Sequence, residues 1–399
     1  MKVQWTRNFD GSLNTNEFYN ALYNAYRLFY VYADNLKGID EFSLAEKYRT
    51  DGGMYEDQSV FTDMDVLYSR VWDPNDTNVL APEAVVEPKQ EKITVDKFRQ
   101  IGLYTDEYLS KRAWMSPYQY DEFRSVVQKQ VSETKKVYEQ RLVDVFVGCI
   151  EFSKMNNPKM NVSITLPTDT DAEKQNRLQS MEIAKTIGDI LTEMSDTTAD
   201  YNQNKFLKRF DESDIDIIWN AKYYNEIRYV DLPTIFHKDE LLKKGIVRPA
   251  RYFGNVNSSP ANADGTTTRS TDEYFIPVGS NGEYAAAGPN VVHVFPGDLL
   301  PKGTPTTLNN PTYTTLTATV NGVSRTLSVC TKATCYVEDS NVICKLVHKN
   351  AIKYMSSFET GTEFFNPKNL TKNRYLTWAY AEPVALRGYP IVTIRAAQA

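Results

Sequence analysis

A chain of 399 residues has room for roughly two or three domains at ~150 residues each, and it can bury a sizeable core without disulfide or metal staples. Apolar residues make up 41% and charged residues 24%, an ordinary globular balance. Lys and Arg number 45 against 51 Asp and Glu, a net charge of −6, which argues against a nucleic-acid-coating protein and leaves room only for a local basic face.

Residues Met1 to Asn8 lead into no apolar core, so no secretory signal is expected, and no apolar run approaches the ~18 residues of a membrane span. Cys149, Cys330, Cys335 and Cys344 are too few for a disulfide framework and suit a reduced, intracellular chain. Tyrosines number 26 and histidines only three. Tyrosine suits half-buried surfaces, whereas scarce histidine weighs against acid–base or metal chemistry.

Residues 1–80 carry no sustained period. Tyr19, Leu22, Tyr23, Tyr26 and Leu28 suggest a short helix after Asn14–Asn16, and Gly52-Gly53, Pro74 and Asn75 break the rest. Such a segment makes no core of its own, and it is expected to be an arm ordered by lying on neighbours. Residues 81–115 predict a projecting hairpin: Val85-Val86, Ile93-Thr94-Val95, then Phe98, Ile101 and Leu103-Tyr104, with charges interleaved throughout. Ser116-Pro117 supplies an N-cap and a first-turn proline, opening a helix over 116–151. Its apolar or small stripe is Phe123, Val127, Val131, Thr134, Tyr138, Leu142, Val145 and Cys149; Arg124, Gln128, Lys135, Lys136, Glu139 and Arg141 mark the opposite face.

Asn156-Asn157-Pro158 interrupts the helix, and Val162, Ile164 and Leu166 alternate as a strand ended by Pro167. A second helix is expected from Asp171 to Met194, with Leu178, Met181, Ala184, Ile187, Leu191 and Met194 on one face. Ile215, Ile217, Ile218 and Trp219 read as a buried strand, and Asn225 to Val247 as a helical or mixed segment. Near Gly254 the charges thin out. Between Val256 and Val329 they are Asp264, Asp272, Glu273, Glu283 and Asp298 against Arg269, Lys302 and Arg325. The strict alternation Thr315–Val323 passes the hairpin dipeptide Asn321-Gly322 and returns over Ser324–Val329. This predicts a β-rich insertion. Val342–His348, Tyr375–Ala381 and Pro390–Ile394 are further strands, with a turn at Phe364–Pro367.

Catalytic signatures are missing from the sequence: it has no phosphate-binding GxxxxGK[ST], no GxGxxG, no HExxH, no GxSxG and no EF-hand loop. Cys330, Cys335, Cys344 and His348 approximate metal spacing, but the four-residue gap departs from the usual pattern and buried free cysteines fit better. His237 and His293 read as structural, Asp214 and Asp216 as loop-capping carboxylates. The sequons at Asn161, Asn257 and Asn369 carry little weight without a secretory route. Lys89, Lys92 and Lys97 with Asn366 and Asn369 have the residue types of an inter-subunit isopeptide bond and nothing more. A non-enzyme is expected, with no catalytic, cofactor-binding or metal residues.

The run Ile93-Thr94-Val95-Asp96-Lys97-Phe98 through Tyr108–Trp114, the Ser116-Pro117 helix through Gly148, and the tail Val342 to Arg395 with Asn366-Pro367 resemble the major capsid proteins of tailed bacteriophages, of the small podophage type. The resemblance covers most of 80–255 and 340–396. It implies an α+β, Hong Kong 97-like capsid fold. In it, 1–80 is an N-terminal arm and 81–115 the E-loop hairpin. Residues 116–170 and 340–399 form the peripheral domain around a spine helix 116–151, 171–255 the axial domain, and 256–339 a β-rich insertion within or beside it.

The implied function is structural: self-assembly into hexamers and pentamers of an icosahedral shell around double-stranded DNA, in the virion, after assembly in the host cytoplasm. The implied partners are further copies of the chain, a separate scaffolding protein, a portal, decoration proteins and DNA bound without sequence specificity, and no membrane. Lys129, Lys135 and Lys136 would line the inner face of the spine helix. The insertion is larger and less charged than a bare axial loop. A virion decoration or glycan-binding adhesion protein is the alternative from another class, and an unrecognised hydrolase the third.

Overall fold

The computed structural model describes residues 43–50, 58–67, 69, 71–72, 86–106, 117–152, 158–228, 245–256, 266–286, 288, 290–308, 310–320, 323–368 and 370–397. They divide between two compact units, one holding 96–137 and 357–380, the other 44–95, 138–356 and 381–397. The expected helix after Asn14–Asn16, His237, Asn257 and Asn369 lie outside the described residues.

The larger unit is built on a five-stranded mixed sheet in the order Asn161–Ile164, Ile391–Ala396, Val342–His348, Ile215–Asn220, Gly245–Arg248. The central strand runs antiparallel to both neighbours, and the two outer pairings are parallel. Every residue of Val342–His348 is buried, as a strand covered on both faces requires. Helix Ala172–Met194, capped by the Asp171 carboxylate accepting from the Glu173 amide at 3.0 Å, packs on this sheet together with Ala221–Arg228. The core between them holds Ile183, Ile187, Leu191 and Met194 against Ile217, Trp219, Leu346, Val392 and Ile394. The buried face is therefore Ser180, Ile183, Ile187, Ile190, Leu191 and Met194, rotated from the expected one: Met181 is exposed, because Ile183 and Ile190 define the longer branched-chain stripe.

The long helix spans Pro117–Cys149, about 50 Å at ~1.5 Å per residue. Its last turns are buried all round instead of along one stripe; Lys135 and Glu139 of the expected polar side are buried, and so is Asp144. Asp144 meets Arg248 at 2.8 Å. At the end of the helix a Cβ on Gly148 would lie 2.0 Å from the Tyr252 carbonyl oxygen, so only glycine allows this approach.

The insertion is β-rich, as expected. Cys335–Glu338 lies between Gly254–Asn255 and Thr268–Ser270 in one sheet; Tyr274–Val278 pairs with Asn290–Val294, and Thr312–Val320 with Val323–Lys332. Tyr274, Ile276, Val294, Leu300, Cys330, Ala333 and Cys335 form its own small core. In the same unit Leu44, Ala45 and Tyr48 are buried, and Arg49–Thr50 runs parallel to Tyr354–Met355.

Two readings change. The expected hairpin within 81–115 is not formed by its two strands pairing with each other: Lys89–Thr94 pairs with Gln58–Asp63, and Lys97–Asp106 with Thr371–Tyr380. The link Val95-Asp96 has neither glycine nor asparagine for a tight reversal, and Val95 is buried. The tail 340–399 and the long helix are each divided between the two units. Val342–His348 and Ile391–Ala396 join the sheet of Ile215–Asn220, whereas 357–380 belongs to the smaller unit.

In that smaller unit Thr371–Tyr380 lies between residues of the strand Ile352–Asn366 and Lys97–Asp106. Glu363 holds Lys372 and Arg374, each at 2.6 Å, and Glu359 holds Lys135 of the long helix at 2.5 Å.

Candidate assembly surfaces

The residues considered for chemistry are held in structural roles. Asp214 binds Lys349 at 2.6 Å and lies 3.9 Å from His348; Asp216 accepts from Lys47 at 2.6 Å and from the Tyr48 hydroxyl at 3.3 Å. His348 is buried, stacked on Tyr389 at 4.8 Å and edge-on to Phe210 at 5.5 Å. Burial pushes its pKa down to about 4, so the imidazole is neutral near pH 7. His293 pairs with Glu273 at 2.6 Å between the rings of Phe275 and Phe295.

All four cysteines are free and buried. Burial raises each thiol, Cys149 to about 12 and Cys330 to about 11, so none is a poised nucleophile. Cys330 and Cys335 share the core of the insertion, while Cys344 belongs to that of the main sheet. The sulfurs and His348 therefore do not converge. Among the described residues no group of three His, Cys, Asp or Glu side chains could hold a metal ion.

The buried charges tie the end of the long helix to the sheet. Lys345 is fully buried and donates to the Ile150 carbonyl at 2.7 Å; desolvation lowers its pKa to about 8. Arg395 bridges Glu151 and Asp339, the latter at 2.6 Å. Asp144 is raised to about 6, because its burial outweighs the attraction of Arg248. Lys135, expected on an inner surface, is buried against Glu359 and not offered to solvent, whereas Lys129 is exposed.

What the described residues do present is apolar surface on extended segments. In 58–72, Asp63 is tied to Lys208 at 2.5 Å and Asn204 at 2.7 Å, and Asp65 accepts from the Leu207 amide at 2.9 Å. Around these ties Val60, Met64, Val66, Leu67, Val71 and Trp72 face solvent, Trp72 with 81% of its surface exposed. In the smaller unit, Phe98, Phe364, Phe365 and Leu370 are likewise exposed, the last three around the turn after Asn366. Lys89, Lys92, Lys97 and Asn366 are exposed too. Exposed apolar groups in such number mark surfaces meant to be covered. Sequence reasoning missed both sets. Their signal was present as apolar residues in strands that lacked a core partner, but alternation alone does not say which face is left uncovered.

No protein-family model matches the chain, and no curated protein matches it in sequence. Solved structures do. A chain of the capsid structure of Staphylococcus phage Andhra aligns over 88% of this chain and 83% of its own, at 10% identity and a TM-score of 0.55. A chain in the structure of the head fiber and inner core protein gp22 of native bacteriophage P68 aligns over the same shares, at 10% identity and a TM-score of 0.52. The likeness is one of fold. The chain is α+β and shares the architecture of these phage chains, consistent with the Hong Kong 97-like fold implied by the sequence.

Proposed function

We propose that this chain is a major capsid protein of a tailed bacteriophage, which assembles with its own copies into hexamers and pentamers of an icosahedral head. The observation that carries the reading is the fold shared along 88% of the chain with a chain of a phage capsid, at a TM-score of 0.55. The exposed apolar groups of 58–72 and 364–370 support it. On a free subunit they are a liability, and in a shell each repeats as a contact on every copy.

Within this reading residues 1–80 act as the N-terminal arm, 81–115 as the E-loop, and 117–149 as the spine helix of the peripheral domain. The sheet around Val342–His348 acts as the axial domain, bearing the insertion 256–339. No catalytic residue is needed, which agrees with inert thiols and a neutral, stacked His348. Scaffolding protein, portal, decoration proteins and packaged DNA are the partners such a shell would meet.

The test is expression with the neighbouring genes of its own genome, followed by negative-stain electron microscopy. Uniform thin-walled shells are expected. Small discrete oligomers, with the scaffolding protein confirmed present, would overturn the proposal and favour an adhesion protein.

A further inference from the structure

We propose that the main sheet, on its face towards the end of the long helix, holds ordered water at a buried site formed by Lys345, Thr393 and Asn161. The inference does not depend on the capsid reading.

The two faces of the sheet differ in chemistry. Cys344, Leu346, Val392 and Ile394 join the apolar core under helix Ala172–Met194. The residues that alternate with them point the other way. There Lys345 stands opposite Thr393, and Thr393 opposite Asn161 in the next pairing. Three polar side chains thus form a row across three adjacent strands, each about 5 Å from the next at its base. Lys345 is 0% exposed and Thr393 1%.

Their hydrogen bonds do not close. The Lys345 ammonium has three donors, and its one protein acceptor is the Ile150 carbonyl at 2.7 Å, just past the end of the long helix. Among the described residues no carboxylate lies within ion-pair distance of it; Glu151 and Asp339 are held by Arg395, two residues along the strand from Thr393. Thr393 Oγ1 and Asn161 Oδ1 are both buried and have no hydrogen-bond partner. Buried polar atoms are almost always paired, and ordered water supplies what the protein does not. Three such groups in neighbouring register mark one place, not scattered defects.

The donor set selects the ligand. Lys345 only donates, so the occupant must accept. Asn161 Oδ1 only accepts, so the occupant must also donate, and the Thr393 hydroxyl can do either. Water meets all three. A halide cannot donate to the amide oxygen, and the carboxylates of Glu151 and Asp339 disfavour an anion. A metal cation is repelled by the ammonium. The water adds a second link between the sheet and the end of the long helix, beside the direct bond from Lys345 to Ile150.

The first measurement is the melting temperature of the full chain carrying Thr393→Val, which keeps the shape of the side chain and removes its hydroxyl. If the hydroxyl is bonded to water, its loss is expected to lower the melting temperature by about 2 °C. If it is an unpaired buried group, its removal is favourable, so a rise or no change overturns the proposal. The second is a high-resolution map of the wild-type chain, which decides even if Thr393→Val fails to fold. A peak within hydrogen-bond distance of Thr393 Oγ1 and of Lys345 Nζ or Asn161 Oδ1 is expected. No peak there overturns the proposal, and so does an anomalous signal at the site from crystals grown in bromide, which would identify a halide.

Discussion

His348 and Asp144 respond to acid in opposite senses, and the sign follows from burial. The folded pKa of His348 is about 4 against 6.5 for a free imidazole, so the folded state binds fewer protons between those values. Its contribution is fully present above about pH 6.5 and is lost as pH falls towards 4, on the order of 3 kcal/mol. His348→Phe keeps a ring against Tyr389 and Phe210, and is expected to flatten the dependence of the urea midpoint on pH between 4 and 6.5. Asp144, raised from 3.8 to about 6, contributes most below pH 3.8 and loses that contribution as pH rises through 6. Gly148→Ala drives a methyl into the Tyr252 carbonyl region, where 2.0 Å separates the ideal Cβ from oxygen. It is expected to lower the melting temperature by several degrees, a loss of about 1–3 kcal/mol typical of overpacking.

At the scale of elements, both helices were legible in the sequence and their buried faces were less so. The N-cap at Asp171 and the end at Met194 follow from local chemistry, but which stripe is buried depends on what lies across from it. Ile183 and Ile190 meet the sheet while Met181 does not, so Met181→Lys is expected to change stability by under about 0.5 kcal/mol. Ile187→Ala should cost about 2–5 kcal/mol in chemical denaturation. Similar melting of the two variants would contradict the observed face. The long helix shows the same limit. Lys135 and Glu139 looked solvated by spacing but are buried, as is Asp144; Glu359 and Arg248, distant in sequence, supply partners for Lys135 and Asp144.

For the whole molecule, part of the first 80 residues belongs to the larger unit's folded body. Leu44 and Tyr48 are buried in the larger unit and Gln58–Asp63 pairs with Lys89–Thr94, so truncation through residue 80 would remove part of the folded body. Removing only residues 1–42, the start of the proposed arm, is expected to abolish shells, read by electron microscopy. Shells of normal yield from that truncation would remove the N-terminal arm from the account of assembly.

By itself the sequence determined the local structure: the long helix after Ser116-Pro117, the capped helix ending at Met194, the alternating hairpin around Asn321-Gly322, and the apolar strand Val342–His348. These depend on periodicity, capping and turn chemistry, which act within a few residues. The tertiary structure decided the partners. Lys89–Thr94 and Lys97–Asp106 look like two arms of one hairpin, yet they pair with segments before and long after them. Val342–His348 and Ile391–Ala396 flank a stretch that belongs to the other unit. Alternation gives a strand its faces but not its neighbours, because backbone hydrogen bonds are the same for every sequence. Which edges meet is settled by the burial of side chains such as Ile93, Val95 and Trp378 from all parts of the chain at once. The same reason hid the exposed apolar groups, since a face is recognised as uncovered only after every other face has found its cover.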